Sequence, residues 1–207
     1  MTPPWFITLE GGEGVGKSTA MAWVSAWLHA HGHAVIETRE PGGTALGEAV
    51  RAALLTAYAH PTTELSELLL IFGARAQHLA EVVRPALARG TTVVCDRFTD
   101  ATYAYQGGGR GLASSTIAML EQLVHGDLTP NLTLLLDAAP DITLARRAAR
   151  GASDRFERES AEFFARVRAS YLARARQHAE RIELIDAGRS PGEVRASIVT
   201  ALERHLA

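Results

Sequence analysis

At 207 residues and 22.2 kDa, the chain has room for one full α/β domain and is short for two. Apolar residues make up 47% and charged residues 21%, the balance of an ordinary soluble fold. A formal charge of −2 argues against a general nucleic-acid binder, so any anion site must be a local concentration of positive charge.

Cys95 is the only cysteine, which excludes an intramolecular disulfide, and its apolar setting in TTVVCDRF predicts a buried thiol. The N-terminal residues MTPPWFITLE lack the basic and apolar regions of a signal peptide. No apolar run approaches the roughly 18 residues of a transmembrane helix. A cytoplasmic protein is expected, with no membrane and no nucleic-acid partner.

Trp5–Glu10 is a short apolar run and predicts the first strand; Ser18 to about Ala30 carries apolar residues at helical spacing. His29, His31 and His33 surround the stop residue Gly32 and predict a solvated helix end rather than a metal cluster. Ala34–Thr38 predicts a second strand, Arg39–Thr44 a Pro/Gly loop, and 45–58 a helix. A long helical stretch follows over Thr63–Arg89, with Pro85 expected to kink or restart its last turns.

Thr91–Cys95 predicts a third strand ending at Asp96-Arg97; Thr99–Tyr105 looks helical, and Gly107–Gly109 is expected to break it. Leu132–Leu136 predicts a fourth strand, 141–150 a helix, Ser160–Glu180 a long helix and Arg181–Ile185 a fifth strand. Ser190-Pro191-Gly192-Glu193 combines a capping box with proline at the first helical position, so a last helix starts there. Strands alternating with helices predict an α/β fold: a five-stranded parallel sheet flanked by helices on both faces, in one domain over residues 1–207.

Lys17 is the only lysine in the chain, and it sits in GGEGVGKS, which fulfils G-x-x-x-x-G-K-[ST]. The glycines let backbone N–H groups of Gly11, Gly12, Glu13, Gly14, Val15 and Gly16 turn toward phosphates, and the following helix N-terminus adds its dipole. Lys17 is expected to bridge the β- and γ-phosphates of ATP, and Ser18 to hold Mg²⁺. A guanine-specific switch protein needs N-K-x-D, which Asn131, the only asparagine, and Lys17 cannot form. Size and charge favour a small-molecule kinase over a motor.

Asp96-Arg97 ends the third strand, where open parallel sheets bind ligands. Asp96 is expected to hold the Mg²⁺ hydration shell and Arg97 to reach a phosphate bidentately. The segment 146–158 carries five arginines in thirteen residues and predicts a mobile lid whose Arg150 and Arg155 close on phosphates.

With these motifs in place the chain resembles the bacterial thymidylate kinases nearly end to end. The resemblance rests on LEGGEGVGKST (Leu9–Thr19), TREPGGT (Thr38–Thr44), ARAQH (Ala74–His78), DRFTDATYAYQGGGRG (Asp96–Gly111), LLLD (Leu134–Asp137) and RGASDRFE (150–157). It implies the P-loop kinase fold, transfer of the γ-phosphoryl of ATP to dTMP with Mg²⁺, and a homodimer. It implies that Glu13 faces the monophosphate and its sugar, that Arg75 and Gln106 lie at the thymine or its neighbourhood, that Thr102 binds the substrate, and that Tyr105 lies beside the deoxyribose. Arg97 would bridge donor and acceptor, Glu40, Pro41 and Gly42 would close over the acceptor phosphate, and Arg51 would approach it. Thr19, Arg146, Arg150 and Arg155 would serve ATP. Because Gly14 stands where some members carry arginine, the lid's Arg150 is implied as the transition-state arginine.

Two positions depart from the family pattern. Ile71 occupies the place of a phenylalanine that stacks on thymine, so either the adjacent Phe72 rotates into that role or an aliphatic wall replaces it. Ala101 stands where the family has serine. A kinase for another nucleoside monophosphate and a non-catalytic nucleotide-binding regulator are the alternative functions.

Overall fold

A computed structural model describes residues 3–56, 58, 60, 62–148, 155–156 and 159–206. Five strands, β1 (Phe6–Glu10), β2 (Val35–Arg39), β3 (Thr92–Asp96), β4 (Leu132–Asp137) and β5 (Ile182–Asp186), form one sheet in the order β2-β3-β1-β4-β5. Every pairing is parallel, with Thr8 opposite both Cys95 and Thr133. This agrees with the expected architecture.

Alternate strand residues feed opposite layers, as the two-residue period of a strand requires. Ile7, Leu9, Val94, Leu134 and Leu136 pack with α1 (Lys17–Ala30) and α9 (Pro191–Leu206). Phe6, Val93 and Cys95 face the other way, onto Leu79, Val83, Ala86 and Phe98. Leu135 and Ile182 on that second face meet α8 (Ala161–Gln177). β1, with all five residues buried, is the central strand, and its C-terminal end opens into the glycine loop.

The long stretch before β3 divides, as Pro85 leads one to expect. Helix α3 (Glu64–His78) passes through a π-helical turn, Leu79–Val83, into the short α4 (Arg84–Ala88), with Pro85 in the first turn of α4. There the missing proline N–H costs no ladder bond. The expected capping box at α9 forms: Ser190 N and Oγ both donate to Glu193 Oε2 at 3.1 and 2.5 Å.

Two elements differ from expectation. The glycine triplet does not break the helix at Tyr105. Instead α5 (Thr99–Thr102) continues as a π-helical segment, Tyr103–Gly109. The glycines serve close packing there, because a Cβ on Gly109 would lie 2.5 Å from the Phe163 ring of α8. The second difference is α6 (Ser114–His125), between the glycines and β4, which the expected element order does not include although Ile117, Leu120 and Val124 recur at helical spacing. The helices α2 (Ala45–Leu55) and α7 (Pro140–Ala148) complete the order. No described helix is long and apolar enough to cross a membrane.

Candidate active site

The carboxyl ends of β1, β3 and β4 converge, the usual ligand position in an open parallel sheet. β1 runs into Gly11, which has φ 132°; a Cβ there would sit 2.2 Å from the carbonyl oxygen of Leu136, so only glycine lets the loop leave the sheet here. The loop closes at Gly16, a left-handed residue that caps α1 without any side-chain hydrogen bond. The first-turn N–H groups of α1 are therefore free of a side-chain cap and available to an anion.

Lys17 is buried beside this turn, with Nζ donating to the carbonyls of Gly11 (3.3 Å) and Gly12 (3.2 Å). Burial, then the neighbouring Arg97, holds its pKa below the usual lysine value. Such an ammonium gains from any phosphate that replaces the two carbonyls.

A cavity of about 580 Å³ opens in front of the loop. Of the residues expected at ATP, Glu13, Gly14, Gly16, Lys17, Ser18, Thr19 and Arg146 line it. Gly11, Gly12 and Val15 do not; they border a smaller space of about 150 Å³ behind the loop, and Val15 is buried in the core. Arg146 donates Nη1 to the carbonyl of Ala187 at 3.1 Å. Arg150 lies outside the described residues, as does most of the expected lid. Arg155 departs from expectation. It pairs with the buried Glu67 of α3 rather than with the P-loop, because a carboxylate removed from water draws the nearest guanidinium.

Asp96 lines the cavity at the end of β3, and its buried Oδ1 has no hydrogen-bond partner. An orphaned carboxylate oxygen on the cavity that Ser18 also lines fits a hydrated hard cation, which needs one or two carboxylates and little else from the protein. No group of three His, Cys, Asp or Glu side chains among the described residues forms a metal cage. In particular His31 stacks on Trp27 at 3.8 Å instead.

Arg97 is the one non-glycine residue with positive φ (70°) among the described residues. Its guanidinium donates to the carbonyl of Gly11 (3.0 Å), to the hydroxyls of Tyr171 (3.2 Å) and Tyr105 (3.1 Å), and to Glu13. The strained turn is held by a residue that the sequence did not single out. Glu10, fully buried at the end of β1, accepts from the N–H groups of Phe98 (2.7 Å) and Ala101 (3.2 Å) through Oε1. Its Oε2 accepts from the Tyr171 hydroxyl at 2.8 Å. Burial and the nearby Asp100 carboxylate push the Glu10 carboxyl up to about 7. A left-handed arginine costs on the order of 1 kcal/mol and persists only where its surroundings over-determine it.

Helix α3 places Glu67, Ile71 and Arg75 on one stripe at four-residue spacing. Arg75 is 2% exposed and donates Nε to Glu40 (2.6 Å) and Nη2 to the Phe98 carbonyl (3.1 Å) and Thr102 Oγ1 (3.0 Å). Its guanidinium carbon lies 4.9 Å from both the Phe72 and Phe98 ring centroids. The remaining nitrogen, Nη1, is buried and has no partner. Glu40 is committed to Arg75 and to His78 Nδ1 (2.9 Å). Although burial alone would raise its pKa, Arg75 and His78 outweigh burial and hold it below the usual carboxylate value.

The other residues expected at the acceptor divide as follows. Glu40, Pro41, Arg51, Arg75, Arg97, Thr102, Tyr105 and Gln106 all line the cavity together with Ala101. Arg51 also donates to the Pro41 carbonyl at 3.2 Å. Phe72 is absent from the lining and is buried with Leu68, Tyr103 and Ile117. Ile71 lines the cavity instead. Helical geometry decides the matter: one residue beyond Ile71 is turned by about 100°, into the core behind Arg75. Besides Glu10, sequence reasoning missed Tyr171 and Glu67; an acid inside the leucine-rich LSELLLIF was the available signal for the last.

Comparison with known proteins gives one answer. A family model described as Thymidylate kinase matches residues 9–198. The thymidylate kinase of Chromohalobacter salexigens is 59% identical, covering 100% of this chain and 99% of the relative. That of Pseudomonas syringae pv. syringae is 57% identical over 97% and 96% of the two chains. The crystal structure of thymidylate kinase from Ehrlichia chaffeensis superposes with a TM-score of 0.78 at 33% identity, covering 97% of this chain and 98% of that one. With a phosphate loop, a carboxylate–arginine strand end and a second polar pocket on one cavity, and with matches of this extent, the chain belongs to the thymidylate kinase family.

Proposed function

We propose that the cavity holds dTMP, with its phosphate toward Arg51 and Arg97 and its base between Ile71, Arg75, Thr102 and Gln106, while the phosphates of ATP lie on the loop Gly11–Ser18. The activity is phosphorylation of dTMP to dTDP with ATP as donor, a step toward dTTP. The observation that supports the placement is the Arg75 guanidinium, fixed by Glu40, the Phe98 carbonyl and Thr102 where Arg75 lines the cavity together with Ile71 and Gln106.

Transfer is in line between the two bound phosphates, with no covalent enzyme intermediate, so catalysis rests on position and charge. Lys17 neutralises the donor phosphates. Arg97 spans donor and acceptor and at the same time offsets the Glu13 carboxylate, which otherwise repels them. Tyr105, bonded through its hydroxyl to Glu13 at 3.3 Å, closes the sugar side. Mg²⁺ held by Ser18 and Asp96 would lower the charge on the donor phosphates. Arg150 is our assignment for the transition-state arginine, since Gly14 supplies none from the loop.

The same proposal makes residues 1–207 one domain with a lid near 146–158, cytoplasmic and without a nucleic-acid partner. A homodimer through α3 and α6 is part of it. These adjacent helices leave Leu65, Leu69, Met119 and Leu123 exposed.

The test is ADP release with dTMP, dUMP, dCMP, AMP and GMP as acceptors, with and without Mg²⁺. We expect kcat/KM to be highest for dTMP and turnover to require the cation. A clear preference for another acceptor would overturn the proposal.

A further inference from the structure

We propose that Glu67 sets the base selectivity of this site by fixing which end of the Gln106 carboxamide faces the cavity. The inference rests on the placement of the base at Arg75 and Gln106. Glu67 does not line the cavity, and its residue is fully buried, so it acts as a positioning residue.

A carboxylate accepts hydrogen bonds and cannot donate them. The Gln106 atom 2.8 Å from Glu67 Oε1 is therefore the amide nitrogen, and the carbonyl Oε1 is what remains for a ligand. Two arginines hold the Glu67 carboxylate in place. Arg110 donates through Nε (3.3 Å) and Nη2 (3.4 Å), and Arg155 pairs with Oε2. Arg110 is itself held by Glu159 at 2.6 Å. Arg75 and Gln106 both line the cavity, and the end of the Gln106 carboxamide left to a base is the acceptor Oε1.

That acceptor matches the ring N–H of a pyrimidine imide edge. Cytosine presents an unprotonated ring nitrogen at the same place, so acceptor meets acceptor. Sites built to hydrogen-bond one edge reject the mismatched edge strongly, by roughly 10²-fold or more. The discrimination holds only while the carboxamide cannot turn over. Glu67 is what prevents it, and Arg155 ties that orientation to the lid.

The experiment compares kcat/KM for dTMP and dCMP in the intact enzyme, Glu67→Gln, Gln106→Leu and the double variant. In Glu67→Gln the new carboxamide offers either a donor or an acceptor, so Gln106 is free to turn. We expect the dTMP:dCMP ratio to fall at least about tenfold in Glu67→Gln, with KM for ATP unchanged. In the Gln106→Leu background the same substitution should leave the ratio unaltered. An unchanged ratio in Glu67→Gln, or an equal fall in both backgrounds, overturns the inference. A measurement on the unaltered enzyme does not depend on the variants folding: dTMP methylated at the ring N–H should lose about 10²-fold in kcat/KM, and near-normal turnover would overturn the inference as well. Failure of the base placement itself reads differently, as an intact enzyme that does not prefer dTMP to dCMP.

Discussion

Replacing Lys17 by alanine is expected to lower kcat by about 10³-fold, close to 4 kcal/mol of transition-state stabilisation. The side chain is buried against its own loop and bonded to two backbone carbonyls, and among the described residues no acid forms an ion pair with it. The fold should therefore survive, and dTMP binding, set largely by Arg75, Arg51 and Gln106, should change little. What disappears is a desolvated cation at the donor phosphates, and the charge spread over their oxygens grows as the reaction proceeds. Steady-state kinetics with titrated dTMP affinity checks this. A variant with kcat within tenfold of the parent would remove Lys17 from the mechanism.

The second large effect is expected at Arg97. Arg97→Ala should reduce kcat by about 10²–10³-fold, from the loss of a bridging guanidinium at the transition state. Backbone strain does not enter the comparison, because alanine and arginine carry the same Cβ penalty at φ 70°. Two consequences add to the loss: Glu13 stands beside the phosphates without its guanidinium, and Tyr105 and Tyr171 lose a shared partner. Arg97→Lys keeps the charge but cannot serve Gly11, Glu13 and both tyrosines together, so it should recover only part of the rate. Kinetics with both substrates varied checks the pair of variants; parent-like turnover in Arg97→Ala would contradict the assignment.

The parts of this protein that were legible in the sequence obey local rules. An apolar run, a glycine pattern and an amphipathic helix specify β1, the loop and α1 without reference to anything distant. The strand end at Asp96-Arg97 was legible for the same reason, and with it the side of the sheet on which the cavity opens. Helix α6 was less so: Ile117, Leu120 and Val124 recur at helical spacing, but its N-cap, Ala113, makes no side-chain hydrogen bond, so no start signal marks it.

Glu10 and Glu67 were invisible for a different reason. Their roles exist only once β1 meets the turn after β3, and α3 meets the segment through Gln106. The choice between Ile71 and Phe72 likewise needed the direction in which α3 faces the sheet. Glu40 lines the cavity, and its carboxylate is bonded to Arg75 and His78, a partnership that appears only in the fold.

The most direct test of this account is a crystal structure of the protein with dTMP and a non-hydrolysable ATP analogue. We expect thymine beside Arg75 with its ring N–H on Gln106 Oε1, the monophosphate at Arg97, and the analogue's phosphates on Lys17 and the N-terminus of α1. Thymine bound away from Arg75, or the triphosphate away from the loop, would contradict it.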